Sequence, residues 1–133
     1  MHLLRLSGRK VCERVKTKGF LWRGKHMQIR WLRGQPRNTD PEASVGLYVG
    51  LLTSAKLHKS AVKRNRMRRR CREAMRVTLK AISDKRLAMS SDKLTAYRLP
   101  LTACQLLIIP RFSSLSADFR ELIADIDRFL SSL

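Results

Sequence analysis

Acidic residues are scarce in this sequence. Ten aspartates and glutamates stand against 29 lysines and arginines over 133 residues, a formal net charge of +19. No acidic cluster suits a two-metal site, and no paired carboxylates stand ready for general acid–base work. Cysteine is equally thin: Cys12, Cys71 and Cys104 lie far apart with no CxxC pair. That spacing argues against a disulfide framework and against a zinc site, and three buried or half-buried thiols in a reducing cytosol account for it. The histidines His2, His26 and His58 are as dispersed, so no Ser-His or His-Lys constellation is evident. No apolar run approaches the ~18 residues of a membrane span.

What remains is a basic chain that can fold. Apolar residues make up 44% of it, enough for a core, and the length suits one domain over residues 1–133. A compact domain with a pI near 11.4 repels itself and is expected to work against a polyanion. Charge spread through a foldable domain points to nucleic acid. A membrane surface would call for a lipid anchor or a long amphipathic surface helix, and neither it nor a small-molecule substrate is expected. The basic N-terminus (Arg5, Arg9, Lys10, Arg14, Lys16 and Lys18 against Glu13) fits a transit peptide or a first helix. The helix stop at Gly19 favours the helix.

Residues 7–18 read as that helix, with Ser7 as N-cap and Val11 and Val15 one turn apart. Residues 20–33 switch to period 2, Met27, Ile29 and Trp31 alternating with Gln28, Arg30 and Leu32. Residues 34–42 read as a loop and 45–54 as a second strand. A basic helix is expected over 60–81, then a connection over 83–100. The wholly apolar 104–110 suits a central strand buried on both faces. A last helix carries Phe119, Leu122, Ile123, Ile126, Phe129, Leu130 and Leu133 on one stripe, with Ser116 as N-cap. The order α-β-β-α-β-α, with room for an extra strand, predicts an α+β single-domain sandwich: a small sheet packed by helices.

The informative stretch is 56–76, KLHKSAVKRNRMRRRCREAMR. At about 100° per residue, Met67, Cys71, Ala74, Met75, Thr78 and Ile82 gather on one side of a helix. Arg66, Arg69, Glu73 and Lys80 point the opposite way. Asn65, Arg68 and Arg72 form a third row along the edge of the apolar stripe, where they would stand at the lip of a groove. Guanidinium groups bind phosphate oxygens bidentately, and the helix N-terminus near Ser60 offers amides to an anion. Basic runs also occur as solvated faces or localisation signals. The apolar stripe threaded through this one argues against that, because a solvated signal needs no core face.

The run Arg64-Asn65-Arg66-Met67-Arg68-Arg69-Arg70-Cys71-Arg72-Glu73 resembles the R-N-R motif of bacterial ribonuclease P protein subunits. Gly50, Ser54, Lys56, Lys59, Ser60, Ala61 and Val62 resemble the glycine-bearing strand and lead that precede it. The resemblance implies a left-handed βαβ crossover around the motif helix, a catalytic RNA partner, and a precursor tRNA whose 5′ leader lies in a cleft between the sheet and the first helix. It also implies that magnesium ions bound mainly by the RNA subunit perform the hydrolysis, in the bacterial cytoplasm. Lys56, Lys59, Arg64, Asn65, Arg66, Arg68, Arg69 and Arg72 are then the expected RNA contacts. Where the family carries cleft aromatics, this chain has Cys12, Lys16 and Arg30. Arg30, Trp31 and Tyr48 are the expected leader-cleft residues, although Trp22, Trp31 and Tyr48 read first as core or sheet-face residues and only second as base platforms. The rivals are a ribosomal-type RNA-binding protein, a protein-only nuclease and a DNA-binding helix. The nuclease lacks its carboxylates, and the DNA-binding helix lacks a partner at helix-turn-helix spacing.

Overall fold

The computed structural model describes residues 2–37, 46–88 and 103–132. Its elements are β1 (His2–Arg5), α1 (Arg9–Lys18), β2 (Phe20–Arg23), β3 (Met27–Arg33), β4 (Gly46–Leu51), α2 (Ala61–Ala88), β5 (Cys104–Pro110), a 3-10 turn (Phe112–Leu115) and α3 (Phe119–Ser132). The strands form one sheet in the order β1-β4-β5-β3-β2. β4 runs parallel to β1 and to β5, whereas β3 is antiparallel to both of its neighbours. The fold is the expected α+β sandwich, with helices on both faces of the sheet.

β5 takes the centre because its apolar residues suit both faces. Cys104, Leu106 and Ile108 join Met27, Ile29, Leu47 and Val49 in the larger core, beneath α2 and α3. Leu107 joins Leu6, Val11, Val15, Tyr48 and Ala103 in a smaller core beneath α1. Val11 and Val15 therefore anchor α1 as their spacing predicts. Gly19 ends that helix, its N–H bonding the Val15 carbonyl at 2.8 Å. A Cβ there would stand 2.3 Å from that oxygen and 2.9 Å from the Trp31 carbonyl, so only glycine lets α1 meet β3 this closely.

Several expectations need correction. Gly8 at φ 98° caps α1 in place of Ser7, because the chain turns there through a conformation that glycine adopts freely. The stretch 20–33 is a hairpin of two strands, broken at Gly24, and the face pattern changes phase through the turn: Trp22 shares a face with Ile29, its partner across the hairpin. β1 is an additional strand, invisible to local pattern because its partner β4 lies far away in sequence. α2 continues to Ala88, so the expected connection begins later; the rest of 83–100 lies outside the described residues. Asp118 caps α3 in place of Ser116, its carboxylate accepting the Arg120 N–H at 3.1 Å. Ser116 instead closes the 3-10 turn.

The hairpin turn is held from a distance. Asp125 of α3 is fully buried and accepts the N–H groups of Lys25 and His26 at 3.2 and 2.7 Å, with the Arg128 guanidinium on the same carboxylate. Asp125→Ala would leave the Lys25 and His26 amides without their acceptor. A loss of about 3 kcal/mol is expected in urea unfolding, with Asp125→Asn losing less.

Candidate nucleic-acid interface

α2 divides its faces as the sequence predicts. Met67, Cys71, Ala74 and Met75 are fully buried, and Thr78, Leu79 and Ile82 nearly so. Arg66, Arg69, Glu73 and Lys80 are exposed. Between these faces, Asn65, Arg68 and Arg72 line a groove of about 380 Å³ floored by Leu6 and by Val49, Gly50 and Leu51 of β4, and Arg69, expected on the solvent face alone, lines it as well. The far wall is Arg5, at the end of β1. The Arg68 guanidinium donates to Asn65 Oδ1, which fixes one edge of the row. Among the described residues, Arg5, Arg69 and Arg72 have no ion-pair partner.

The eight expected RNA contacts do not all converge. Asn65, Arg68, Arg69 and Arg72 share the groove, and Lys56 and Lys59 stand exposed on the loop before α2. Arg66 points outward. Arg64 is turned back on its own loop, donating to the carbonyls of His58 and Lys59 at 2.7 and 3.2 Å, and so shapes the approach to the helix. Ser60 starts α2: its hydroxyl accepts the Lys63 N–H at 3.4 Å. Glu73 pairs with Arg76, whose guanidinium holds its carboxyl below the usual range.

Two features escaped the sequence. Arg5 lay in a stretch too short to betray a strand. Arg70, one more arginine in a run of them, donates to the Ser114 and Leu115 carbonyls at 2.7 Å each and to that of Ala117, clamping the 3-10 turn onto α2. The structure divides the expected leader-cleft residues between the two faces of the sheet. Arg30 and Tyr48 belong to the sheet face under α1, where Tyr48 is 3% exposed and packed into the smaller core. Trp31 alternates to the other face, against Phe20 at 5.0 Å between ring centroids and beneath the Arg33 guanidinium. The space beside α1, a cleft of about 500 Å³, is lined instead by Lys10, Glu13, Arg14, Lys18, Arg37 and Gln105, among others.

Comparison with known proteins places this architecture. A family model described as ribonuclease P matches residues 2–133. The chain belongs to the ribonuclease P protein family. Ribonuclease P protein components from two Thermus thermophilus strains are each 32% identical over 128 residues, 96% of this chain. The chain spans 58% of the length of those curated relatives. The ribonuclease P protein of Thermotoga maritima shares the fold at a TM-score of 0.66 and 16% identity, over 97% of this chain and 96% of that one. That of Staphylococcus aureus does so at 0.61 and 16%, over 96% and 93%.

Among the described residues no group of His, Cys, Asp and Glu is placed to hold a metal ion. No described helix is long and apolar enough to cross a membrane. His26 Nε2 meets Glu121 at 3.1 Å and its Nδ1 meets the Ser113 hydroxyl at 2.9 Å, tying the hairpin turn to the 3-10 turn and α3. Glu121 also pairs with Lys25, whose ammonium lowers its carboxyl pKa. Burial pushes the Cys71 thiol up to about 12 and the Cys104 thiol up to about 11. Burial disfavours the thiolate, so both buried thiols stay protonated at pH 8. Iodoacetamide at that pH should modify Cys12 first and leave Cys71 and Cys104 intact until the protein unfolds. Mass spectrometry of the alkylated native protein checks this.

Proposed function

We propose that this chain is the protein component of a bacterial ribonuclease P. In this reading it binds the catalytic RNA and the 5′ leader of precursor tRNA, in the cytoplasm. It thereby promotes the magnesium-dependent endonucleolytic removal of the leader that forms the mature tRNA 5′ end. Residues 1–133 act as one ribonuclease P protein domain within a tRNA-processing ribonucleoprotein. The observation that carries the reading is the groove beside α2. It gathers arginines with no carboxylate partner from β1 and from the edge of a helix whose adjoining side is core, so their backbones are held in place before any ligand arrives.

Hydrolysis belongs to the RNA subunit here. The groove is cationic and does not suit a divalent cation, and its nearest acid by sequence, Glu73, is engaged by Arg76. By the family resemblance, magnesium is assigned to the RNA. The protein contributes affinity: fixed guanidiniums displace condensed counterions from phosphates, which lowers the magnesium needed to hold the complex together. Arg5, Arg68, Arg69 and Arg72 supply those charges, Asn65 holds Arg68, and Lys56 and Lys59 extend the positive surface past the helix N-terminus.

Precursor-tRNA affinity of the assembled ribonucleoprotein, measured across a salt series, tests this. Arg68→Ala with Arg72→Ala should weaken binding and reduce the slope of log affinity against log salt by about 2. An unchanged slope would remove that row from the phosphate contacts. Arg5→Ala should lower the slope by about 1, because Arg5 faces the same groove from β1.

A further inference from the structure

The carboxyl ends of the parallel strands β1, β4 and β5 lie at one end of the sheet, where open α/β sheets commonly place their ligands. The arginine groove lies there on one flank of α2. On the flank that carries Arg70, His58 and Phe112 stack in parallel, their ring centroids 5.5 Å apart and their planes within 6°. Phe112 is 59% exposed although it sits on a firmly held turn. The Arg70 guanidinium binds three carbonyls of that segment, and the Arg111 N–H binds the His26 carbonyl at 2.9 Å. His58 is oriented just as firmly. Its Nδ1 accepts the Ser60 N–H at 3.0 Å, which places the ring proton on Nε2.

We propose that the His58–Phe112 pair is a stacking platform for an unpaired nucleobase of the bound RNA. The open face of Phe112 receives the base, and Lys56, Lys59 and Arg111, all exposed, take the adjoining phosphates. The occupant follows from the charge around the rings. The loop 52–60 and the turn 111–115 contain cations and no carboxylate, which suits a polyanion bearing flat π-faces. The platform supplies in another place the stacking surface that Cys12, Lys16 and Arg30 do not provide beside α1. It rests on the RNA-binding reading above.

Fluorescence anisotropy with a fluorescein-labelled single-stranded oligoribonucleotide, over a range of salt, separates the two ideas. Phe112→Ala in the full chain should weaken binding roughly tenfold at every salt concentration with the slope unchanged, because stacking releases no counterions. Phe112→Trp should bind at least as tightly as the parent, which separates loss of a π-face from a folding defect. Parent-like binding by Phe112→Ala, or equal loss in Phe112→Trp, would overturn the platform while leaving the RNA reading intact. A parent protein that shows no salt-dependent binding would overturn the RNA reading itself.

Discussion

Everything functional here depends on the apolar stripe of α2 staying against the sheet. Between Lys63 and Arg76 the helix carries a dense run of cations opposed only by Glu73. Like charges one helical turn apart cost about 0.2–0.5 kcal/mol per pair in water. Each large apolar side chain buried on the other side contributes roughly 1.5–3 kcal/mol. Met67, Met75, Leu79 and Ile82, with Cys71 and Ala74 filling the gaps, therefore outweigh the repulsion. The helix is kept by its neighbours, and the arginines are carried along as its unsatisfied edge.

That edge becomes a site because of what surrounds it. β1 brings Arg5 to the far side of the groove, and Gly50 lets the Leu6 backbone lie close against β4, where a Cβ would meet its carbonyl at 3.3 Å. On the other flank, Arg70 spends its charge on backbone carbonyls and holds Phe112 where it is. Arg64 does the same for the loop of Lys56 and Lys59. The basic run thus contains two kinds of arginine, some facing solvent with no partner and some bracing the protein that presents them.

Sequence periodicity carried the α2 stripe, the groove row, the central strand and the C-terminal helix stripe, because each is a local repeat with one buried face. It failed where the deciding contact is remote. Nothing in His2–Arg5 announces a parallel pairing with β4, and nothing near Gly24 announces that Asp125, about a hundred residues later, caps the hairpin turn. Tyr48 and Trp31 illustrate a different limit. Both were visible as sheet residues, but the face each takes follows from strand register, and register sends one under α1 and the other against Phe20. Arginine roles inside the motif were likewise illegible, since a guanidinium that meets a carbonyl has the same letter as one that meets water.

The account stands most directly on cleavage of precursor tRNA at low magnesium by a bacterial ribonuclease P RNA, assayed with this protein, without it, and with the protein alone. Strong stimulation of correct 5′ cleavage, with the protein inert by itself, is the result predicted for a chain whose proposed part is to supply fixed cations. Tight binding of the cognate RNA without stimulation, or cleavage by the protein alone, would contradict it.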